Sequence, residues 1–169
     1  IISTSKSIND DNALLDCRIE GLEKKSPDLI IIDRKLKLRK KLKLYETVKN
    51  RKIIIFTTKK NKKKIMFFKK KGIKVIIIRS LKTSQDYKKL FLILKKKGYS
   101  RIFIETGLNF LNFVIKKNFV NNIYIFKSSN KLKKNGSNPF NSNFIKKIPL
   151  KNRINVNLFG DNIYKESLK

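Results

Sequence analysis

The chain has no histidine, no tryptophan, one cysteine (Cys17), one methionine and one alanine (Ala13) among its 169 residues. A single thiol excludes an internal disulfide framework. Without histidine the usual Cys/His zinc sites are excluded, as are Ser-His-Asp and Cys-His catalysis, and no metal site is expected. Acidic side chains are scarce as well: 12 Asp and Glu stand against 43 Lys and Arg, for a formal net charge of +31. No apolar run approaches the roughly 20 residues that a membrane-spanning helix needs, so no membrane partner is expected. There is no initiating Met. The chain opens on Ile1-Ile2, which reads like the tail of a strand, and the expectation is a fragment whose beginning lies upstream.

What is abundant needs care. A charge of +31 ordinarily points to nucleic acid through phosphate neutralisation. Yet 36 of the 43 basic residues are Lys and seven are Arg, whereas nucleic-acid readers favour the bidentate guanidinium. The chain also holds 25 Ile and 18 Asn. Lys, Ile and Asn share A/T-rich codons, so an A/T-rich genome filling permissive surface sites accounts for the bias. A binding face should gather its Lys beside exposed aromatics. Here they are spread over Lys35 to Lys43, Lys59 to Lys71, Lys95 to Lys97, Lys116-Lys117 and Lys131 to Lys134, which argues against a nucleic-acid partner.

With 40% hydrophobic residues the chain can build a core, and its length fits one domain, 1–169. Short apolar runs recur at Leu29–Ile32, Ile53–Thr57, Val75–Ile78, Ile102–Ile104 and Ile123–Phe126. They are continuous and β-branched, as strands buried on both faces are. Helical stretches alternate with them: Lys60–Lys71 closed by Gly72, Asp86–Lys97 closed by Gly98 with Ser84 or Asp86 as cap, and Leu108–Lys117. This alternation predicts crossover connections, hence an α/β fold with a mainly parallel central sheet flanked by helices. The Ser-, Asn- and Lys-rich stretch within 128–150 reads as a surface loop. Ile154–Phe159 alternates apolar and polar residues, as a half-exposed antiparallel strand at the sheet edge does.

Three segments could carry chemistry. Ser7-Ile8-Asn9-Asp10-Asp11-Asn12-Ala13-Leu14-Leu15-Asp16-Cys17-Arg18 gathers acids in a basic chain and ends in an Arg. Taken alone, such an Asx-rich stretch is also what a turn or helix cap looks like. Ile102-Phe103-Ile104-Glu105-Thr106-Gly107-Leu108-Asn109-Phe110-Leu111 is a strand that ends in a carboxylate, turns at Gly107 and enters a helix, whose N-terminus suits an anion. The plainer reading is a simple Gly turn with Glu105 as cap. Leu29-Ile30-Ile31-Ile32-Asp33-Arg34 puts Asp33 at the end of a buried strand, facing the same crevice or simply solvated.

In this order and spacing the segments resemble the C-terminal reductase domain of the bifunctional riboflavin-biosynthesis deaminase/reductase. That family shows T-V-x-x-D-[DN]-P-x-L-T-x-R, then V-[VL]-D, then V-E-G-G-x-x-L, then L-[VI]-D-E-[LI]-x-[LV]-[YF]. Ser7–Arg18, Ile30–Asp33, Ile104–Leu111 and Phe119–Phe126 stand in these places, and Leu158-Phe159-Gly160-Asp161-Asn162 resembles a closing G-x-D strand.

The resemblance implies a dihydrofolate-reductase-like fold with an antiparallel C-terminal edge strand. It implies a cytoplasmic, NADPH-dependent enzyme that reduces the ribosyl group of 5-amino-6-(5-phosphoribosylamino)uracil to the ribitylamino product. By position it places Ser7, Asp11, Arg34, Gly107, Leu108, Asn109, Phe110 and Leu111 at the cofactor, and Leu15, Arg18 and Glu105 at the substrate. Arg18 would meet the substrate phosphate, and Asp11 would be the catalytic acid. A phosphorylated ribosylaminopyrimidine substrate, a homodimer partner and an upstream deaminase domain are implied with it. Departures are Ala13 for Pro, Thr106 for a small residue, and Ser7 for Thr. The family's first strand and helix have no counterpart, so incomplete binding and an inactive fragment are expected. A basic RNA- or ribosome-associated binding module is the alternative, and it accounts for the charge alone.

Overall fold

The computed structural model describes residues 1–130 and 143–168, which form two compact units, 1–107 and 108–169. The first contains β1 (Ile2–Thr4), α1 (Ser5–Asp11), β2 (Leu29–Ile32), β3 (Ile53–Thr57), α2 (Lys62–Lys70), β4 (Lys74–Ile77) and α3 (Ser84–Lys96). Its sheet has the order β1-β2-β3-β4, and every pair is parallel. β2 and β3 are buried at every position, as their unbroken Ile-rich sequences require of strands covered on both faces.

Alternation along the strands divides the interior in two. Leu29, Ile31, Ile53 and Ile55 pack with Ile8 of α1 and Phe68 of α2. Ile30, Ile54 and Phe56 are equally buried but lie outside that cluster, on the opposite face. The Lys-rich stretch after β2 is part of the first layer. Leu36, Leu38, Leu42 and Leu44 alternate with lysines, and all four are buried in the same cluster. Their backbone is stapled from beside: Asp33 accepts from the Lys37 and Leu38 N–H groups (2.7 and 2.8 Å), Asn9 Oδ1 from Arg39 N–H and Asn12 Oδ1 from Lys43 N–H.

The helices end where the sequence says. Gly72 follows α2 at φ +77, and a Cβ there would lie 2.9 Å from Val48 Cγ1, so only glycine fits. The cap of α3 is Thr83, not Ser84 or Asp86. Thr83 Oγ1 accepts from Asp86 N–H, and Asp86 returns the bond to the Thr83 backbone in a capping box.

Three expected strands differ. Val75–Ile78 falls on β4, which ends the sheet and leaves Ile77 43% exposed, so it is not buried on both faces. Ile102–Ile104 forms only a single parallel bridge, Ile104 to Ile2, because backbone bonds Ile2 N–H to Phe103 O and Glu105 N–H to Ile2 O are all it makes with β1. Ile123–Phe126 does not join the parallel sheet. It lies in β5 (Asn122–Lys127) of the second unit, antiparallel to β7 (Asp161–Ser167), which pairs in turn with β6 (Arg153–Leu158) in the order β5-β7-β6. β6 is the expected half-exposed antiparallel edge strand, with a bulge between Ile154 and Leu158. Leu158 to Asn162 is a hairpin rather than one strand, turning at Phe159 and Gly160. The second unit also holds α4 (Leu108–Lys116) and the short α5 (Asn143–Lys146). Most of the loop expected within 128–150 falls on residues 131–142, outside the described residues.

Two core polar groups give opposite predictions. Asp33 is buried and accepts from Ser5 Oγ as well as from two loop amides. Asp33→Ala would strand these donors and should lower unfolding free energy by about 3 kcal/mol in denaturant titrations. Ser3 Oγ is buried with no hydrogen-bond partner among the described residues, so Ser3→Ala should hold or raise stability, by up to about 1 kcal/mol. The capping box adds a pH dependence. Hydrogen bonds from the Thr83 and Lys82 backbone hold the Asp86 carboxyl well below its ordinary value of 3.8. Its contribution is therefore complete above that value and lost as pH falls through the lowered one. In thermal melts from pH 5 to pH 2, the gap between wild type and Asp86→Ala should narrow as pH falls.

Candidate functional site

At the carboxyl end of β1 the chain gathers hydroxyls. Thr4 ends the strand in an extended conformation and caps α1, its Oγ1 accepting from Ser7 N–H at 3.3 Å. Because the 103–105 backbone docks on Ile2, Thr106 arrives beside them. Thr4 Oγ1 and Ser7 Oγ are 3.0 Å apart, Ser7 Oγ and Thr106 Oγ1 3.4 Å, and Thr106 Oγ1 donates to Thr4 Oγ1 at 3.3 Å. Gly107 N–H donates to Ser7 Oγ at 3.0 Å. Three hydroxyls and one amide thus converge at the end of the parallel strands, where α/β sheets take their ligands. Each hydroxyl can rotate to donate outward.

Of the residues proposed from sequence, Ser7 and Gly107 are in this cluster. Asp11 closes α1 and is exposed, and Asn12 at φ +47 ends the helix. The Leu15 side chain is in the core, at φ +55, and its carbonyl accepts from Arg51. Arg18 is exposed, its Nε 3.6 Å from Asp16 Oδ1. Arg34 is exposed, and its carbonyl accepts from Thr58 Oγ1 at 2.9 Å. Glu105 is exposed, with its amide bonded to Ile2. Leu108, Asn109, Phe110 and Leu111 form the first turn of α4 in the second unit, with Asn109 exposed and the others half-buried. Asp33 is neither solvated nor open to a crevice: its carboxylate is taken up by Ser5 and the loop amides.

The sequence reading missed Thr4, Arg51 and the part played by Thr106. Thr4 and Ser7 stand at cap spacing, which is a readable signal. Arg51 is one of seven Arg in a Lys-dominated chain. A cavity of about 490 Å³ adjoins Asn12 and is lined by Lys40, Lys41, Lys43, Lys71, Tyr45 and Glu46 among others. Its lining holds four lysines against one glutamate, a balance that favours anions. Burial pushes the Tyr45 phenol up, and the neighbouring Asp33 charge adds to this. It therefore stays protonated and donates to the Arg39 carbonyl. Among the described residues no group of carboxylates and thiol could hold a metal ion, and no helix is long and apolar enough to cross a membrane.

Solved structures share this fold. RibD from Acinetobacter baumannii matches in two forms: form 2 with a TM-score of 0.72 at 16% identity, and form 1 with 0.69 at 15%. Each match covers 97% of this chain and 45% of theirs, so the chain spans less than half their length. A pyrimidine reductase-like protein from Corynebacterium diphtheriae matches with a TM-score of 0.70 at 13% identity, over 98% of this chain and 74% of its own. No curated protein matches. The model of the RibD C-terminal domain matches residues 1–134, and it is to this family that the chain belongs.

Proposed function

We propose that the chain is a pyridine-nucleotide-dependent reductase domain of riboflavin biosynthesis. Its reaction would be the NADPH-dependent reduction of the ribosyl group of 5-amino-6-(5-phosphoribosylamino)uracil to the ribitylamino product. The observation that carries the reading is the Thr4–Ser7–Thr106–Gly107 cluster at the end of the parallel strands, in a member of the RibD C-terminal domain family.

The donor set fits a nucleotide. Three neutral hydroxyls and an amide suit phosphate and ribose oxygens, and no carboxylate takes part in the cluster to repel them. Thr106, where the family has a smaller residue, keeps a hydroxyl in the group instead of closing it. Ser7, Arg34 and Gly107 would hold the nucleotide. When bound, a nicotinamide would supply a hydride.

The remaining steps fall to the chain's own side chains. Arg18 is exposed, and with its Nε 3.6 Å from Asp16 Oδ1 its two terminal nitrogens can grip a phosphate bidentately. Glu105 and Leu15 would orient the sugar and ring. A ribosyl group opened by hydride needs a proton at its oxygen or imine nitrogen, and the Asp11 carboxyl would donate it. This role requires the bound substrate to bring its reacting atoms within hydrogen-bond reach of Asp11. The proposed partners are the phosphorylated ribosylaminopyrimidine, a second copy of the chain, and a deaminase domain such as bifunctional family members carry. The proposed setting is cytoplasmic.

Calorimetric titration with NADPH tests this. Ser7→Ala should weaken binding about tenfold by removing a hydroxyl from the cluster. Asp11→Asn should keep binding and lower turnover at least about 100-fold in a reductase assay. A wild-type chain that ignored NADPH but bound RNA in a salt-sensitive way would sink the reading.

A further inference from the structure

Arg51 is 6% exposed, and no carboxylate lies within ion-pair distance of it among the described residues. A buried cation without a direct counter-charge is costly unless its donors are all placed. Here four of the five N–H groups are placed, three on backbone carbonyls and one on a hydroxyl. Nη1 donates to the Leu15 carbonyl and, at 3.4 Å, to that of Pro27, Nη2 donates to the Leu14 carbonyl, and Nε donates to Thr47 Oγ1 at 3.1 Å. Thr47 is itself fixed by donating to the Leu44 carbonyl at 2.8 Å. Burial pulls the guanidinium pKa down, and the nearby Asp16 and Asp28 charges oppose this.

The held segment matters because of what it joins. Residues 12–18 have no helix or strand, yet they connect Asp11 to Arg18. Beyond the Arg51 fork, Cys17 N–H donates to Ser26 Oγ at 3.0 Å and Asn12 is tied to Lys43. Asp16 directly follows the two held carbonyls, its charge acts on the Arg51 guanidinium, and its Oδ1, buried and without a hydrogen bond among the described residues, sits 3.6 Å from Arg18 Nε.

We propose that Arg51 is a positioning residue for recognition of the ligand's phosphate. Its fork fixes the Leu14–Asp16 backbone, and through Asp16 it sets where the Arg18 guanidinium is presented. This rests on the reading of Arg18 as the phosphate contact. The side chain touches no ligand itself, and Lys cannot replace it, since an ammonium lacks the planar fork that spans two successive carbonyls.

The test is calorimetric binding of ribose 5-phosphate, with unphosphorylated ribose as the control. Arg51→Met should raise the Kd for ribose 5-phosphate about tenfold and leave that for ribose unchanged. In an Arg18→Ala background the same change should have less than about a twofold effect, because both act through one contact. Thr47→Val keeps the cation but loosens its aim, and should raise the Kd about threefold. It carries the test should Arg51→Met fail to fold. An unchanged Kd in a folded variant, or additive effects of the Arg51 and Arg18 changes, would overturn the positioning role alone. A wild-type chain that bound ribose as well as ribose 5-phosphate would overturn the phosphate reading of Arg18, and the positioning role with it.

Discussion

The first unit depends on one constraint: parallel strands must be covered on both faces. β2 and β3 meet it with side chains that are almost all aliphatic, so nothing polar can be accommodated along their length except at the ends. The one hydroxyl that β1 buries in mid-strand, on Ser3, has no partner among the described residues. Polar function is thereby pushed to the carboxyl ends, where Thr4, Asp33, Arg34 and Thr57 lie side by side in sequence terms at the close of three adjacent strands.

At those ends the residues divide by role. Asp33, buried, builds: it turns the chain after β2 and lets four leucines descend into the core while their neighbouring lysines face water. Asn9 and Asn12 do similar work on the same loop. Thr4, Ser7 and Thr106 mostly satisfy one another, and such a closed group of rotatable hydroxyls can be reorganised by a ligand at modest cost. The charged side chains at Asp11, Arg18, Arg34 and Glu105 stand in solvent, uncommitted to the core.

Much of this was readable. Continuous β-branched runs such as Ile53–Thr57 read as buried strands, and Gly72 and Gly98 mark helix ends by the physics of positive φ. What escaped was whatever depends on partners distant in sequence. Ile123–Phe126 has the texture of a parallel strand, but its pairing with β7 decides its sheet. Ile102–Ile104 has strand composition but makes one bridge. The alternation of Leu and Lys over 35–44 has period two without being a strand, because Asp33 and two asparagines supply the backbone partners that a neighbouring strand would otherwise give. The motif residues were legible as positions. Of the side chains behind them, Thr4 left only its cap spacing to Ser7 as a signal, and Arg51, which belongs to no motif, left none.

The composition and the Arg51 fork together bear on how such a chain can change. A mutational pressure that turns Arg codons toward Lys acts on every position alike, and on the surface it is nearly free, because a solvated charge is little affected by its shape. At position 51 the same exchange would leave one of two carbonyls without a donor inside the protein. Base composition can therefore drift across the outside of this domain, but a Lys codon at this buried site would be selected against through the backbone it supports.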